Sequence, residues 1–321
     1  MIQMLTKPLF PVLLFLSVNS FAQTFNVDFK EVDEYVKLVG PLDTMNMGTI
    51  SYAVTKKFPD NRNKVRAIFD WIAYNISFDL KAGKNNDNEK SGTDIVLKNR
   101  KAAPSGYAAL FQDMCSVVKI RCLTVDGYAK NRIEQIDEKP DGFNHTWAVV
   151  QLGESSDKWY YVDPTWGAGY TDEKITKFTR QYNDSYFFAD RTIFNYQHYP
   201  DNTAWQLGAG PKNEGNFLSM PVVRSAAYEF NLGKFIPDNG HIKAKVKKAV
   251  SFNLKVSSRE DIEIVALEIG EGKKKKTKTV DHTYSKGNII FNYEFEEEDT
   301  YPVTVLINNK PVVGYLVEVK E

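Results

Sequence analysis

Two stretches of the chain show the apolar periodicity of helices. Between Lys64 and Ile76 apolar side chains recur every three or four residues and would line one face of an amphipathic helix. A second helix is predicted up to about Val118, with either Ser105 as its N-cap or Pro104 in its first turn. Its apolar positions are Tyr107, Leu110, Phe111, Met114 and Val118.

The strongest hairpin pattern joins residues 146–152 to residues 158–162. The turn between them is rich in Gly, Ser and Asp, and we place its centre at Glu154. His145 and Asp163 then lie nine residues to either side of the centre. In antiparallel pairing they are predicted to be cross-strand partners on one face, so the spacing alone places an imidazole beside a carboxylate.

The C-terminal third has a different pattern. Residues 208–216 read as a linker, and after them short alternating runs follow one another without a helical pattern between them. This predicts a β-sandwich in residues 217–321, after a helix-containing domain in residues 23–210. The predicted strands are Val222–Val223, Tyr228–Leu232, Ala249–Val256, Ile262–Ile269, Asn288–Phe295, Tyr301–Asn308 and Val312–Val319.

Charge and targeting narrow the functional classes. The 321 residues include 41 basic and 41 acidic side chains, and this balance argues against a nucleic-acid-binding protein. The apolar run from Pro8 to Val18, followed by Ser20-Phe21-Ala22, predicts a signal peptide over residues 1–22. The run is too short for a membrane anchor. We therefore expect an exported protein, periplasmic or extracellular, with no transmembrane segment after cleavage.

The cysteines and histidines do not predict a metal site. Cys115 falls in the second helix and Cys122 opens the next strand, so both fit small buried residues, while a disulfide between them stays open in an oxidising compartment. The histidines are scattered and lack the spacing of metal ligands, so we expect no metal and no cofactor. They are His145, His198, His241 and His282.

Several ordered motifs together resemble a known family. From Lys64 to about Leu207 the chain is similar to the transglutaminase-like superfamily, which has a papain-like fold, and in particular to bacterial relatives of kyphoscoliosis peptidase. The resemblance implies an α+β fold with helices packed on an antiparallel sheet, and we expect the following sandwich to be immunoglobulin-like. The motifs that carry it are residues 65–72, 106–111, 125–130, 145–147, 161–169, 198–200 and 205–207.

The resemblance implies a Cys-His-Asp acyl-transfer site in which one member is replaced. The family motif resembles Gly-Val-Cys-x-Gly-Tyr-Ala, and Gly106 aligns it so that Pro104 occupies the cysteine position. His145 is then the base, and Asp163 the acid that orients the imidazole. Proline cannot act as a nucleophile. Ser105 is the neighbour that could replace it, although one helical step of ~100° turns its side chain away from the histidine.

We therefore expect a catalytically inactive module rather than an enzyme. The former cleft would hold a peptide, a protein or a cell-wall component, with Trp147, Trp166 and Tyr107 as candidate contacts. These aromatic side chains also fit a core, and His145 and Asp163 alone would fit a buried histidine and an ordinary turn. The alternative is an active cysteine-protease or transamidase-type enzyme that uses an unrecognised nucleophile such as Ser105.

Overall fold

The computed structural model describes residues 28–84, 92–153, 155, 158–172 and 174–321. The predicted signal peptide lies outside these residues. The helices are α1 Lys30–Val39, α2 Met47–Thr55, α3 Asn61–Asn75, α4 Leu80–Lys84, α5 Thr93–Asn99, α6 Pro104–Val117, α7 Pro164–Ala168, α8 Arg191–Gln197 and α9 Glu214–Ser219. None of the helices in these ranges is both long and apolar enough to cross a membrane.

The described residues contain strands in both parts of the chain. The first eight are β1 Ser77–Phe78, β2 Lys101–Ala102, β3 Cys122–Ala129, β4 His145–Gln151, β5 Trp159–Val162, β6 Gly169–Thr171, β7 Phe178–Arg180 and β8 His198–Pro200. The remainder are β9 Val222–Val223, β10 Lys234–Ile236, β11 His241–Lys245, β12 Ala249–Lys255, β13 Val265–Ile269, β14 Lys276–Thr279, β15 His282–Ser285, β16 Asn288–Glu294, β17 Asp299–Ile307 and β18 Lys310–Lys320.

The two predicted helices are α3 and α6. Helix α3 begins three residues before the predicted start, because the Asp60 side chain accepts a hydrogen bond from the Asn63 backbone N–H and caps the helix at 2.9 Å. Helix α6 begins at Pro104, whose fixed φ and missing N–H suit the first helical position. Its N-cap is Ala103, so Ser105 lies inside the first turn and does not cap the helix.

Helix α6 packs on a four-stranded antiparallel sheet with the order β5-β4-β3-β8, and α3 packs on α6. The hairpin β4–β5 forms as predicted, but its register differs. Val162 pairs with Ala148 and not with Thr146, and the Leu152 N–H donates to Lys158 O, which centres the loop on Ser155. The predicted direct pairing is therefore wrong by two residues. Because side chains alternate between the two faces of a sheet, a shift of two residues leaves the side chains on the predicted face.

The C-terminal strands form two packed sheets. One has the order β10-β12-β16-β15, and the other has the order β11-β18-β17-β13-β14, with β9 beside β18. Phe252 of one sheet meets Tyr315 of the other with ring centroids 5.5 Å apart, as expected for a sandwich core. The prediction of a strand over Tyr228–Leu232 is wrong, since these residues follow a 3₁₀ turn, and four short strands (β10, β11, β14 and β15) were not predicted.

The sandwich packs closely against the N-terminal part. Ile193 of α8 belongs to the sandwich core, and the Tyr228 hydroxyl donates to Gln197 Oε1 at 3.1 Å. The buried Lys130 ammonium donates to the backbone oxygens of Leu218 and Met220, at 2.9 and 2.7 Å. Helix α9 begins inside the segment that the sequence predicted to be a linker. The cleft described below therefore lies in a molecule whose two parts share contacts.

Candidate functional site

His145 is positioned by the start of β4. It pairs with Gly127 of β3, and its neighbour Asn144 closes the end of the ladder by bonding to both backbone groups of Ala129, at 2.8 and 3.1 Å. A Cβ at Gly127 would clash with the Tyr199 backbone oxygen, so glycine permits the close approach of β8. His145 is thus held at the first position of an inner strand, and the residue is only 3% exposed.

Asp163 is positioned by the short helix α7, which follows β5. It is the N-cap, and its Oδ1 accepts hydrogen bonds from the backbone N–H groups of Thr165 at 2.9 Å and Trp166 at 3.0 Å. Pro164 follows at the first helical position, where proline is favoured. The carboxylate is fully buried, and the cap leaves Oδ2 for a different partner.

That partner is His145. Its Nε2 lies 2.7 Å from Asp163 Oδ2, so the predicted imidazole–carboxylate pair is present. Burial tends to raise the pKa of Asp163, but the charge and hydrogen bond of His145 and the contact from His198 outweigh it and hold the pKa below its usual range. With Nε2 engaged, Nδ1 is the nitrogen that an acyl-transfer site would direct at a nucleophile.

A second histidine shares the carboxylate, and residue spacing did not predict it. His198 Nε2 lies 3.2 Å from Asp163 Oδ2, and its Nδ1 lies 3.2 Å from the Phe194 backbone oxygen. The ring stacks on the Phe194 ring at 3.9 Å. Burial lowers the pKa of His198 to about 4 although the carboxylate favours the charged form. The prediction that the histidines are scattered is therefore wrong for His145 and His198. Both lie in motifs of the family resemblance, and this was the signal that could have indicated the pair.

Pro104 and His145 line the same pocket, which has a volume of about 540 Å³. The first residue of α6 therefore lies in the wall of the same pocket as His145, and it carries no nucleophilic group. Ser105 does not line this pocket; it is 1% exposed and already has an interaction partner. One step along the helix thus separates the two residues as the helical geometry predicted.

The three predicted aromatic contacts have different surroundings. Trp166 lines the pocket, with its ring 5.4 Å from the His145 ring. Trp147 and Tyr107 have no exposed surface and do not line it. Tyr107 donates its hydroxyl to the Ile76 backbone oxygen at 2.8 Å, and Trp147 packs on Phe194. The expectation that Trp147 and Tyr107 contact a ligand is therefore corrected, because both belong to the core.

The pocket is lined by both parts of the chain. Arg224, Ser225 and Pro311 of the C-terminal part face it, opposite residues of β6 and α7. Thr165 also lines it, and its hydroxyl is buried without a hydrogen-bond partner among the described residues. A neighbouring cavity of about 670 Å³ shares part of this wall, including Arg132 and Asn144. His145 lines only the pocket of about 540 Å³, and we call this pocket the cleft.

The cysteines lie away from the cleft in the core under α6. Both are free and buried, and the two thiols are close enough to share a hydrogen bond. Burial, followed by the contact with Cys122, raises the pKa of the Cys115 thiol well above its usual value. Neither thiol lines the pocket that contains His145. A buried thiol with a raised pKa is poorly nucleophilic, so Cys115 is unsuited to act as a nucleophile.

The N-terminal part of the chain is similar to known proteins. The chain is similar to kyphoscoliosis peptidase of Mus musculus and of Homo sapiens, with 34% identity over 187 residues in each case. The matched region is 58% of this chain but 28% of each relative, so the chain spans little more than a quarter of their length. A solved TGase structure has 21% identity and a TM-score of 0.27, over 45% of this chain and 35% of its own.

The family model of the transglutaminase-like superfamily matches residues 48–164, a range that begins in α2 and ends just after Asp163. It thus contains Pro104, His145 and Asp163, while His198 lies beyond it. Mixed helices and an antiparallel sheet make up this region, and a strand-rich sandwich follows it. Residues 48–164 form a transglutaminase-like domain.

Proposed function

We propose that this protein is an exported, catalytically inactive member of the transglutaminase-like class that binds a peptide, a protein or a cell-envelope component in its cleft. The observation that carries the proposal is Pro104 at the first position of α6, facing the pocket that contains His145. Export is inferred from the N-terminal sequence alone. An enzyme of this class needs both a formed cleft and a nucleophile. We propose that this protein has the cleft and lacks the nucleophile.

The missing nucleophile supports inactivity. In a Cys-His-Asp site the thiolate needs the N-terminal end of a helix and a neighbouring imidazole to lower its pKa. The helix end and the imidazole are present, but Pro104 lies where the resemblance would place the thiol. The retained hydrogen bond between His145 and Asp163 then orients a ring that has no thiol to activate, while it still ties β4 to α7.

The state of the cleft supports binding. The unpartnered hydroxyl of Thr165 and the partly exposed ring of Trp166 offer one polar and one apolar contact side by side. A buried polar group without a partner is costly, so a ligand that supplies its hydrogen bond gains affinity. The name of the mouse and human relatives points to peptides as the class of molecule that such a cleft accepts.

The second candidate is an enzyme that uses Ser105. A serine needs a general base within hydrogen-bond reach, and this serine is buried, already engaged and outside the wall of the pocket. The enzyme reading would require α6 to rotate about its axis, which would expose the buried face of the helix. We therefore prefer the binding module.

The first experiment separates the two candidates. The full mature chain is treated with iodoacetamide and with a fluorophosphonate acyl probe, and labelled peptides are identified by mass spectrometry. We expect no label on Ser105 or elsewhere in the cleft. Stoichiometric labelling of Ser105 that is abolished by His145→Ala would establish an active nucleophile and refute the proposal.

The second experiment measures binding directly. A library of extended peptides and a set of soluble peptidoglycan fragments are screened by hydrogen–deuterium exchange, with protection expected at residues 163–172. Trp166→Ala should weaken any such binding at least tenfold, in the range of a buried aromatic contact of ~1.4 kcal/mol or more. Tyr284→Ala is the matched control, since Tyr284 is exposed on β15 away from the cleft. Equal effects of both variants would contradict a ligand in the cleft.

A further inference from the structure

His145, Asp163 and His198 bring three metal-ligating atoms into one buried cluster. The two Nε2 atoms and the carboxylate oxygen all lie within 4.8 Å of one another. The three side chains are at most 3% exposed. They come from three separate elements, namely β4, the cap of α7 and the start of β8. Two histidines and one carboxylate form a donor set typical of transition-metal sites in proteins.

The spacing of the ligand atoms fits a small divalent ion. With Zn–N and Zn–O distances of ~2.0–2.2 Å, neighbouring ligand atoms of a tetrahedral site lie about 3.4 Å apart. His198 Nε2 and Asp163 Oδ2 are 3.2 Å apart, close to that separation. His145 Nε2 is nearer to the same oxygen, at 2.7 Å, and its ring would have to withdraw by roughly 0.7 Å toward the pocket that it lines.

The two acceptor oxygens that face His198 need more N–H groups than a neutral imidazole can donate. Its Nδ1 faces the Phe194 backbone oxygen and its Nε2 faces the Asp163 carboxylate, and both of these oxygens only accept hydrogen bonds. A neutral imidazole has one N–H and can satisfy one of the two contacts. If Nδ1 donates to Phe194, the lone pair of Nε2 points at the carboxylate, which is the arrangement that a shared cation would stabilise.

We propose that His145, Asp163 and His198 bind a divalent transition-metal ion of the Zn²⁺ class. This reverses the expectation drawn from residue spacing. It does not rest on the proposed binding function, because a metal ion at this cluster is compatible with either an occupied or an empty peptide cleft. Imidazole ligands favour Zn²⁺ over Mg²⁺ and Ca²⁺, which prefer oxygen ligands.

The surrounding contacts resemble those that support metal ligands elsewhere. The Nδ1–H of His198 would keep its bond to Phe194, and such a backbone partner sets the tautomer and the orientation of a ligating ring. Asp163 would keep its cap through Oδ1 and coordinate through Oδ2. Three protein ligands leave a fourth position for water, as sites that are open to a cleft generally do.

The test uses the full mature chain, free of any affinity tag and stripped of metal. Zn²⁺ titration followed by calorimetry, and Co²⁺ titration followed by visible absorption, should each give one site per chain, whereas Mg²⁺ should give none. His198→Gln and His145→Gln should each weaken Zn²⁺ binding at least tenfold. His241→Gln is the matched control and should leave binding unchanged, since His241 lies outside the cluster.

A measurement on the unaltered protein covers the case in which a variant fails to fold. X-ray absorption at the zinc edge of the loaded wild-type chain should show two imidazole ligands and further nitrogen or oxygen neighbours. The proposal is refuted if the wild-type chain takes up no Zn²⁺, if the absorption data show no imidazole, or if folded His198→Gln binds as tightly as the wild type. Peptide binding is also measured with and without a chelator. This comparison distinguishes a failure of the metal-site proposal from a failure of the proposed peptide-binding function.

Discussion

Two substitutions of Asp163 should separate its contribution to the free energy of unfolding into two parts, that of its charge and that of its cap on α7. Asp163→Asn keeps an oxygen that can cap α7 but removes the charge that holds His145 and His198. Hydrogen bonds to a charged group contribute ~1.5–3 kcal/mol each. The bond to His145, with a smaller contribution from the His198 contact and partly offset by the smaller cost of burying a neutral amide, gives an expected loss of about 1–3 kcal/mol in the free energy of unfolding.

Asp163→Ala should cost more, because it also leaves the N–H groups of Thr165 and Trp166 without their capping oxygen. Loss of a cap typically adds ~1 kcal/mol. Urea denaturation of the metal-free variants at neutral pH gives both values, and the difference between them reports the cap alone. If Asp163→Asn lies within about 0.5 kcal/mol of the wild type, the reasoning about the buried carboxylate is refuted.

The pH dependence of the free energy of unfolding provides the control for this account of the Asp163 charge. The folded pKa of Asp163 is held below its usual value, so its stabilisation is present above the unfolded pKa of ~3.9 and is lost as the pH falls through the folded value. The gap in stability between the wild type and Asp163→Asn should therefore narrow in acid below about pH 4. A gap that stays constant down to pH 2 would show that the loss has another origin.

Three further predictions concern the neighbours of this carboxylate. His198 has a folded pKa of about 4 against an unfolded value of ~6.5, so the unfolded chain binds the proton first as the pH falls. The free energy of unfolding should therefore fall by up to ~1.4 kcal/mol per pH unit as the pH drops from ~6.5 to about 4. In urea titrations over this pH range, His198→Gln should flatten that slope. Pro104→Cys should place a thiol at a helix N-terminus in the pocket, lower its pKa to ~7.5 or less and make iodoacetamide alkylation at pH 7 roughly tenfold faster than for a free thiol. The matched Ser105→Cys should stay unreactive because that position is buried, and an inert Pro104→Cys would show that the site geometry is lost. Gly127→Ala should destabilise by ~1–3 kcal/mol or more in thermal or urea unfolding, since its Cβ would lie 2.7 Å from the Trp147 ring, and an unchanged midpoint would contradict the close approach of β8.

Much of the site followed from local pattern and family likeness. The hairpin placed His145 near Asp163 although its register was wrong by two residues, since an error of two preserves the face of a strand. A one-residue error would have separated the pair. Helix α6 was predicted from its apolar spacing, and the alternatives for its first turn were settled in favour of Pro104.

Other features could not be predicted from local pattern. His198 reaches Asp163 from 35 residues away, at the end of a short helix whose position depends on the sandwich core that contains Ile193. Trp147 alternates along β4 like any half-buried strand residue, and its complete burial follows only from packing against α8. The four missed strands are short, and three of them have mostly exposed side chains, so they carry weak apolar alternation.

The sequence by itself determined helices α3 and α6, the hairpin and the change to a strand-rich C-terminal region, and it carries Pro104 where the resemblance implies a nucleophile. These depend on periods of two and 3.6 residues and on residue identity, which are local properties. Only the tertiary structure decided that His198 joins the pair, that Trp166 and not Trp147 or Tyr107 faces the cleft, and that Arg224 and Ser225 of the C-terminal part form one of its walls. Those outcomes depend on contacts between elements that are distant in sequence, and the local pattern of apolar and polar residues does not predict such contacts.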